Sequence, residues 1–251
     1  MTRDQENSFG RWSEENSQTF LDYGRYFVPA REQQIETICD LIPDPQIPFN
    51  IMELCCGEGL LASAFLKRFP LCAVYGYEGS ATMLQQAQTG LTSYGERFQP
   101  VQFDLAATSW RHPSIPVQAV VSSLAIHHLD GEGKRILFQD IYQFLSTGGA
   151  LIVADIVAPA SRLGTKMAAK AWDAAVRQRS LELDGSMQAF EYFEKEKWNS
   201  FRYVEPDDID KPSTILDQLH WLEQAGFACV DVHWMQAGHA IFGGEKRDGH
   251  R

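Results

Sequence analysis

Residues 49–59 read Phe-Asn-Ile-Met-Glu-Leu-Cys-Cys-Gly-Glu-Gly, and this stretch decides the fold. Its first half is apolar and of strand length, and a helix-like run begins at Leu60. Gly57 and Gly59 have no Cβ, so the chain can turn tightly there and a ligand can approach the backbone beside the free N–H groups of the following helix. The context predicts a ligand-binding strand-loop-helix unit. The alternative is an ordinary tight turn between a strand and a helix.

Outward from this stretch, strand-like and helix-like runs alternate along the chain. The predicted strands cover 49–54, 73–77, 101–103, 117–121, 150–156, 227–234 and 239–242, and the predicted helices cover 60–69, 81–88, 134–145 and 213–225. The last two strands follow each other closely across Gly238, which predicts an antiparallel pair. The earlier alternation predicts a parallel sheet covered by helices in a single domain spanning 1–251.

Two segments stand outside this alternation. We expect 1–45 to form an N-terminal helical lid and 159–211 to form a cap inserted in the domain. Ligands of open α/β sheets bind beyond the carboxyl ends of the strands, where such additions can close a site. Six aromatic residues crowd the cap and predict either an apolar acceptor wall or an ordinary helix-to-sheet core. They are Phe190, Tyr192, Phe193, Trp198, Phe201 and Tyr203.

Acidic residues end two neighbouring predicted strands. Glu78, followed by Gly79, can accept both hydroxyls of a ribose held over the first loop. Asp104 is placed to meet an adenine amino group, with Leu105 flanking the ring. Taken singly, the first acid is also compatible with the solvated start of a helix, and the second with an ordinary loop-capping Asp. Their occurrence at successive strand ends favours a nucleoside site.

The order of these motifs resembles the class I S-adenosylmethionine-dependent methyltransferases over about residues 51–244. Residues 53–59 are similar to the family's first motif, 122–129 to the loop after the fourth strand, and 145–150 to the Gly-Gly turn before the fifth. The resemblance implies a Rossmann-like doubly wound seven-stranded sheet of order 3-2-1-4-5-7-6, with strand 7 antiparallel, and S-adenosylmethionine as cofactor. The cofactor-binding residues it implies are Arg31, Glu53, Cys55, Gly57, Gly59, Glu78, Gly79, Met83, Asp104, Leu105 and Ser123.

Cys55 is a departure, because the family has glycine there. We predict a negative φ for Cys55, since a positive φ costs a residue with a side chain energy, and a packing role for its thiol. A nicotinamide dinucleotide is a weaker interpretation, because the full G-x-G-x-x-G pattern is absent.

The sequence indicates the acceptor side of the site less clearly, because methyl transfer needs alignment of the reactants more than a catalytic motif. His127 is the candidate general base and should face the transfer site more closely than His128; the alternative is a structural role in the loop. Arg31 could pair with the methionine carboxylate or be exposed. The five cysteines show no Cys/His ligand spacing, so no metal is expected.

Charge and composition limit the partners. The formal charge of -11 and the pI near 5.1 oppose binding to nucleic acid or an anionic membrane. No signal-like or membrane-spanning run is visible, so we expect a cytoplasmic protein. The sequence thus predicts methyl transfer to a small, partly apolar acceptor. The alternatives are a tRNA-modification enzyme such as a carboxy-S-adenosylmethionine synthase, and a non-catalytic S-adenosylmethionine-binding module.

Overall fold

One seven-stranded sheet forms the centre of the molecule. The computed structural model describes residues 13–203 and 209–247. The strands are β1 (Phe49–Leu54), β2 (Cys72–Glu78), β3 (Phe98–Gln102), β4 (Val117–Ser123), β5 (Leu145–Ile156), β6 (Ala228–Gln236) and β7 (His239–Glu245). Their order is β3-β2-β1-β4-β5-β7-β6, and β7 runs antiparallel to both of its neighbours. The predicted fold is therefore confirmed.

Eight α-helices accompany the sheet in the described residues. They are α1 (Glu14–Phe27), α2 (Arg31–Leu41), α3 (Leu60–Arg68), α4 (Ala81–Gly90), α5 (Gly131–Phe144), α6 (Arg162–Asp184), α7 (Gln188–Lys195) and α8 (Ile215–Ala225). Several begin where a side chain accepts a free N–H group of the first turn. Ser80 accepts from Met83, Asp130 from Gly133 and Thr214 from Asp217.

Two strands begin well before their predicted starts. β3 begins at Phe98, before Pro100, because an edge strand tolerates a residue that cannot donate to the ladder. β5 begins at Leu145, and residues 146–149 form an irregularity within it, where Gly148 has φ of 75°. The predicted Gly-Gly turn is therefore present as a bulge at the start of the strand.

The N-terminal helix packs against the predicted cap at the carboxyl edge of the sheet. Trp172 Nε1 of α6 donates to the carbonyl oxygen of Phe27 at 2.7 Å. The rings of Tyr23 and Tyr192 stack with centroids 4.1 Å apart. These contacts join α1, α6 and α7 in one apolar cluster above β5, separate from the clusters on the two faces of the sheet. Residues 1–12 of the predicted lid and 204–208 of the predicted cap lie outside the described residues.

The described helices include none that is long and apolar enough to cross a membrane.

Candidate cofactor and acceptor site

The loop after β1 turns sharply towards α3. Cys56 donates its N–H to the carbonyl oxygen of Tyr77 at 3.0 Å, which fixes the loop against β2. Gly57 and Gly59 both have positive φ, 56° and 80°. A Cβ on Gly59 would lie 2.8 Å from Cδ1 of Leu91, so a side chain would be both strained and crowded there. Gly59 therefore requires glycine, and Gly57 has the backbone conformation that favours it.

The predicted backbone angle of Cys55 is wrong. Its φ is 56°, in the left-handed region that favours glycine. The loop must leave the sheet immediately after Leu54, and this requirement overrides the intrinsic preference of a residue with a Cβ. Leu124, the residue after β4, has a similar φ of 55°. Burial raises the pKa of the Cys55 thiol well above its ordinary value, which favours packing over nucleophilic chemistry.

Glu78, at the end of β2, binds the loops that follow β1 and β2. Its Oε2 accepts the N–H of Gly57 and its Oε1 accepts the N–H of Ser80, both at 2.8 Å. Burial raises the pKa of this carboxyl group, and the backbone donors partly offset that effect. A carboxylate has about four acceptor positions, so both oxygens can accept further hydrogen bonds from a ligand. Glu78 is therefore held in place and retains the acceptor capacity predicted for it.

Glu53 lies inside a small cavity of about 70 Å³ below α1 and α2. It is 2% exposed, and its Oε2 has no hydrogen-bond partner. Burial, reinforced by the nearby charge of Glu78, raises the pKa of Glu53 to about 8. A buried polar atom without a partner is costly, so this atom marks a place where a ligand donor would be favourable.

The same cavity brings together several other predicted cofactor residues. Arg31, at the start of α2, lines it with Cys55, Gly57 and Ser123. The Arg31 guanidinium lies 3.9 Å from the Glu58 carboxylate, and burial lowers the pKa of Arg31. Arg31 is thus a largely buried cation facing the first loop, not the exposed residue of the alternative interpretation.

Met83 lies beside this loop as well. It is buried, and its Sδ is 3.8 Å from where a Cβ of Gly57 would be. Its side chain therefore supports the face of the loop next to α4.

Asp104 and Leu105 lie at the next strand end but are organised more loosely. Asp104 is exposed, and its Oδ1 accepts the N–H of Ala106 at 2.9 Å, which is the loop-capping geometry of the alternative interpretation. Phe103 donates its N–H to the carbonyl oxygen of Glu78 at 3.1 Å, so the two strand ends are nevertheless adjacent. A Cβ on Gly79 would lie 3.3 Å from the Phe103 carbonyl oxygen, so the lack of a side chain at Gly79 lets the two loops approach closely. The adenine role of Asp104 stays a prediction.

A larger cavity of about 490 Å³ lies between α1, the predicted cap and the sheet edge. Phe20 and Phe27 of α1 line it, together with Trp172 of α6. Of the six cap aromatics, Trp198 and Tyr203 also line it. Phe190, Phe193 and Phe201 are buried in the cluster of α6 and α7 instead. The six cap aromatics therefore include residues that line a cavity and residues that belong to an ordinary core.

His127 reaches this cavity from the loop after β4, whereas His128 does not line it. Nδ1 of His127 lies 2.5 Å from Oδ1 of Asp155, whose other oxygen accepts the His127 N–H at 2.8 Å. Burial would lower the pKa of His127, but the charge and hydrogen bond of Asp155 outweigh it and raise the pKa above 6.5. Nε2 lies 3.5 Å from Oδ1 of Asp210.

Asp155 and Asp210 were not among the residues predicted from the sequence. Asp155 is 2% exposed within β5, and an acid inside a strand predicted to be buried was the available signal. Asp210 lies at the end of the cap, far from His127 along the chain, and no local pattern indicated it.

Comparison with known proteins agrees with this arrangement. Residues 51–149 match a family model described as a methyltransferase domain. An uncharacterized methyltransferase of Mycobacterium bovis is 29% identical over 136 residues, 50% of this chain and 61% of that protein. Trans-aconitate 2-methyltransferase of Pseudomonas aeruginosa is 26% identical over 156 residues, 60% of this chain and 49% of that enzyme. An O-methyltransferase family protein from Burkholderia thailandensis has a similar structure, with a TM-score of 0.64 at 14% identity over 95% of this chain and 61% of that one.

The seven strands have the order of the Rossmann-like methyltransferase fold. The chain is similar to methyltransferases, and its match to a methyltransferase domain covers residues 51–149. It spans about half to three-fifths of the length of the two curated relatives.

Proposed function

We propose that this chain transfers a methyl group from S-adenosylmethionine to a small, partly apolar acceptor. The observation that carries the proposal is the pair of adjoining cavities at the carboxyl edge of the sheet. The smaller is lined by the glycine loop and Glu53, and the larger by aromatic rings and His127. Phe20, Val28 and Leu124 line both, so a ligand in one would lie next to a ligand in the other.

The first cavity suits the amino-acid end of the cofactor. Glu53 offers an acceptor atom without a partner, and Arg31 offers a buried cation. A carboxyl acceptor and a cation match a ligand that carries both an ammonium and a carboxylate group. The residues that would hold the cofactor are Glu53, Arg31, Gly57 and Glu78, with Asp104 and Leu105 on the adenine side. When bound, S-adenosylmethionine supplies an activated methyl group on a sulfonium sulfur.

The second cavity suits a small acceptor. Its volume of about 490 Å³ lies within the ordinary range for small-molecule sites, roughly 300–1,000 Å³. Its walls combine the rings of Phe27, Trp172 and Trp198 with the polar groups of His127 and Asp210. The name of the Pseudomonas aeruginosa relative, a trans-aconitate methyltransferase, also supports a small-molecule acceptor. We infer that 14–41 and 159–211 act as lid and cap, because both contribute residues to this cavity.

His127 is the residue we propose as proton acceptor. Asp155 binds the Nδ1 side of the ring, which fixes its orientation and leaves Nε2 for the cavity. A hydroxyl acceptor that donates to Nε2 would become a better nucleophile as it loses its proton. A carboxylate acceptor would need only to be oriented.

The test is release of S-adenosylhomocysteine by the purified protein with a panel of small hydroxyl and carboxylate acceptors. We expect turnover with at least one acceptor and a large loss in His127→Gln for hydroxyl acceptors. Glu96→Ala, at an exposed position away from the cavities, is the matched control. Cofactor binding without turnover on any acceptor would overturn the catalytic proposal in favour of a binding module.

A further inference from the structure

Three potential metal ligands meet at the edge of the larger cavity. Oδ1 of Asp210 lies 3.5 Å from Nε2 of His127 and 3.3 Å from Nδ1 of His128. One ligand atom from each of the three residues lies within 4.8 Å of the others. We propose that His127, His128 and Asp210 bind a divalent cation of the zinc class.

Two of the three separations between the ligand atoms fit such an ion. Zinc binds imidazole nitrogen and carboxylate oxygen at about 2.0–2.2 Å in tetrahedral geometry, which places neighbouring ligand atoms about 3.3–3.5 Å apart. Both measured separations from Asp210 to the histidines have this length. Two imidazoles and one carboxylate are also a ligand set that zinc accepts readily. The remaining adjustment is a rotation of the two adjacent rings, whose centroids are 4.2 Å apart.

Asp155 provides the outer support that metal-binding histidines usually have. It accepts from the Nδ1 side of His127, so the lone pair of Nε2 faces Asp210. Its carboxylate also accepts the backbone N–H groups of His127 and Ile156, each at 2.8 Å, which holds it rigidly. The two carboxylates, Asp155 and Asp210, carry a charge that a divalent cation would balance.

The segment that carries Asp210 is anchored to the histidine loop. Lys211 donates its N–H to the carbonyl oxygen of His127 at 2.6 Å. Lys134, 1% exposed, donates from Nζ to the Lys211 carbonyl oxygen at 2.5 Å and to Oγ of Ser213 at 3.0 Å. The third ligand is thus held beside the two histidines by contacts that do not depend on the ion, so the site is preorganised.

The cation has a consequence for catalysis that rests on the proposed function. Nε2 of His127 cannot bind a metal and accept a proton at the same time, because both use the same lone pair. A bound zinc ion would therefore inhibit turnover of hydroxyl acceptors. It would also connect the end of the cap to the loop after β4, at the edge of the acceptor cavity.

The experiment measures metal binding directly. Full-length protein is freed of metal with a chelator and titrated with Zn²⁺ in competition with a chromogenic chelator. We expect one Zn²⁺ per chain, and at least tenfold weaker binding in Asp210→Asn and in His128→Ala. His220→Ala removes an exposed histidine of α8 and should bind Zn²⁺ like the wild type. Co²⁺ should give the visible absorption of a tetrahedral site in the wild type and in His220→Ala, but not in the two ligand variants.

Circular dichroism establishes that each variant is folded. Absence of stoichiometric Zn²⁺ binding, or equal affinity in the two ligand variants and the control, would overturn the metal site. S-adenosylhomocysteine release by the metal-free protein is measured in parallel. Turnover without Zn²⁺ binding would refute the metal site alone, and Zn²⁺ binding without turnover would refute the proposed function alone.

Discussion

Replacing Glu53 with Gln should stabilise the ligand-free protein, and the gain should grow with pH. Glu53 is 2% exposed, its Oε2 has no partner, and its pKa is raised from 4.5 to about 8, chiefly by burial. The folded state therefore holds the protonated form well above the pH at which the unfolded chain ionises. Glutamine is neutral and close in shape, so it removes this penalty and preserves the side-chain volume.

The sign follows from proton binding. Between pH 4.5 and 8 the folded state retains a proton at Glu53 that the unfolded state has lost, so rising pH favours unfolding. Each pH unit in this window costs about 1.4 kcal/mol of unfolding free energy. The cost is about 1 kcal/mol at pH 5 and about 3 kcal/mol at pH 7. The stabilisation by Glu53→Gln should therefore be about 2.5 kcal/mol larger at pH 7 than at pH 5.

The assay is urea unfolding of the ligand-free wild type and Glu53→Gln at both pH values. Glu96→Gln, at an exposed position, controls for the loss of one negative charge and should show no comparable change with pH. An equal stability difference between Glu53→Gln and the wild type at pH 5 and pH 7 would refute the reasoning. It would mean that Glu53 is ionised in the folded protein across this range.

Three further predictions concern the same half of the site. Glu78→Ala should weaken S-adenosylmethionine binding by about 1.5 kcal/mol or more, because hydrogen bonds to a charged group are lost. Calorimetry with Glu96→Ala as control measures the affinity, and an unchanged affinity would remove Glu78 from the site. S-adenosylmethionine binding near pH 7 should release protons, because a cationic ligand beside Glu53 favours the carboxylate form of that residue. Calorimetry in two buffers of different ionisation enthalpy detects the release, and a binding enthalpy that does not depend on the buffer would contradict this prediction. Cys55→Gly should be more stable than Cys55→Ala by about 1 kcal/mol, because both lack the thiol and only glycine is unstrained at φ of 56°. Thermal unfolding compares the two variants, and a more stable alanine variant would show that the angle is not strained.

The sheet and the cofactor half could be predicted because their determinants are local in the sequence. Apolar runs, the glycines of the first loop and Glu78 recur in a fixed order, and each has its effect within a few residues of its position. Glu78 accepts the N–H of Ser80 two residues later, and it also reaches Gly57 because parallel β1 and β2 end side by side. The sign of φ at Cys55 was not predictable in this way, because the residue type and the geometry of the turn have opposite preferences.

The acceptor half combines residues from distant parts of the chain. The larger cavity takes its walls from α1, the loop after β4, α6 and the segment around Asp210. The proposed metal ligands show why spacing rules failed there. His127 and His128 are adjacent in sequence, but Asp210 joins them only through the path of the cap and the anchoring contacts of Lys134. No Cys/His spacing could reveal a site of that kind.

One residue of the acceptor half, Asp155, could nevertheless be recognised from the sequence. Asp155 lies in a run of buried positions in β5, where an isolated carboxylate would cost several kcal/mol of folding free energy. Such a residue is tolerable only if donors surround it, and three do: the His127 backbone, the His127 ring and the Ile156 backbone. Two of these donors come from the loop after β4. An acid inside an otherwise apolar central strand therefore predicts a partner on a neighbouring strand end, and the histidine pair after β4 is where that partner lies.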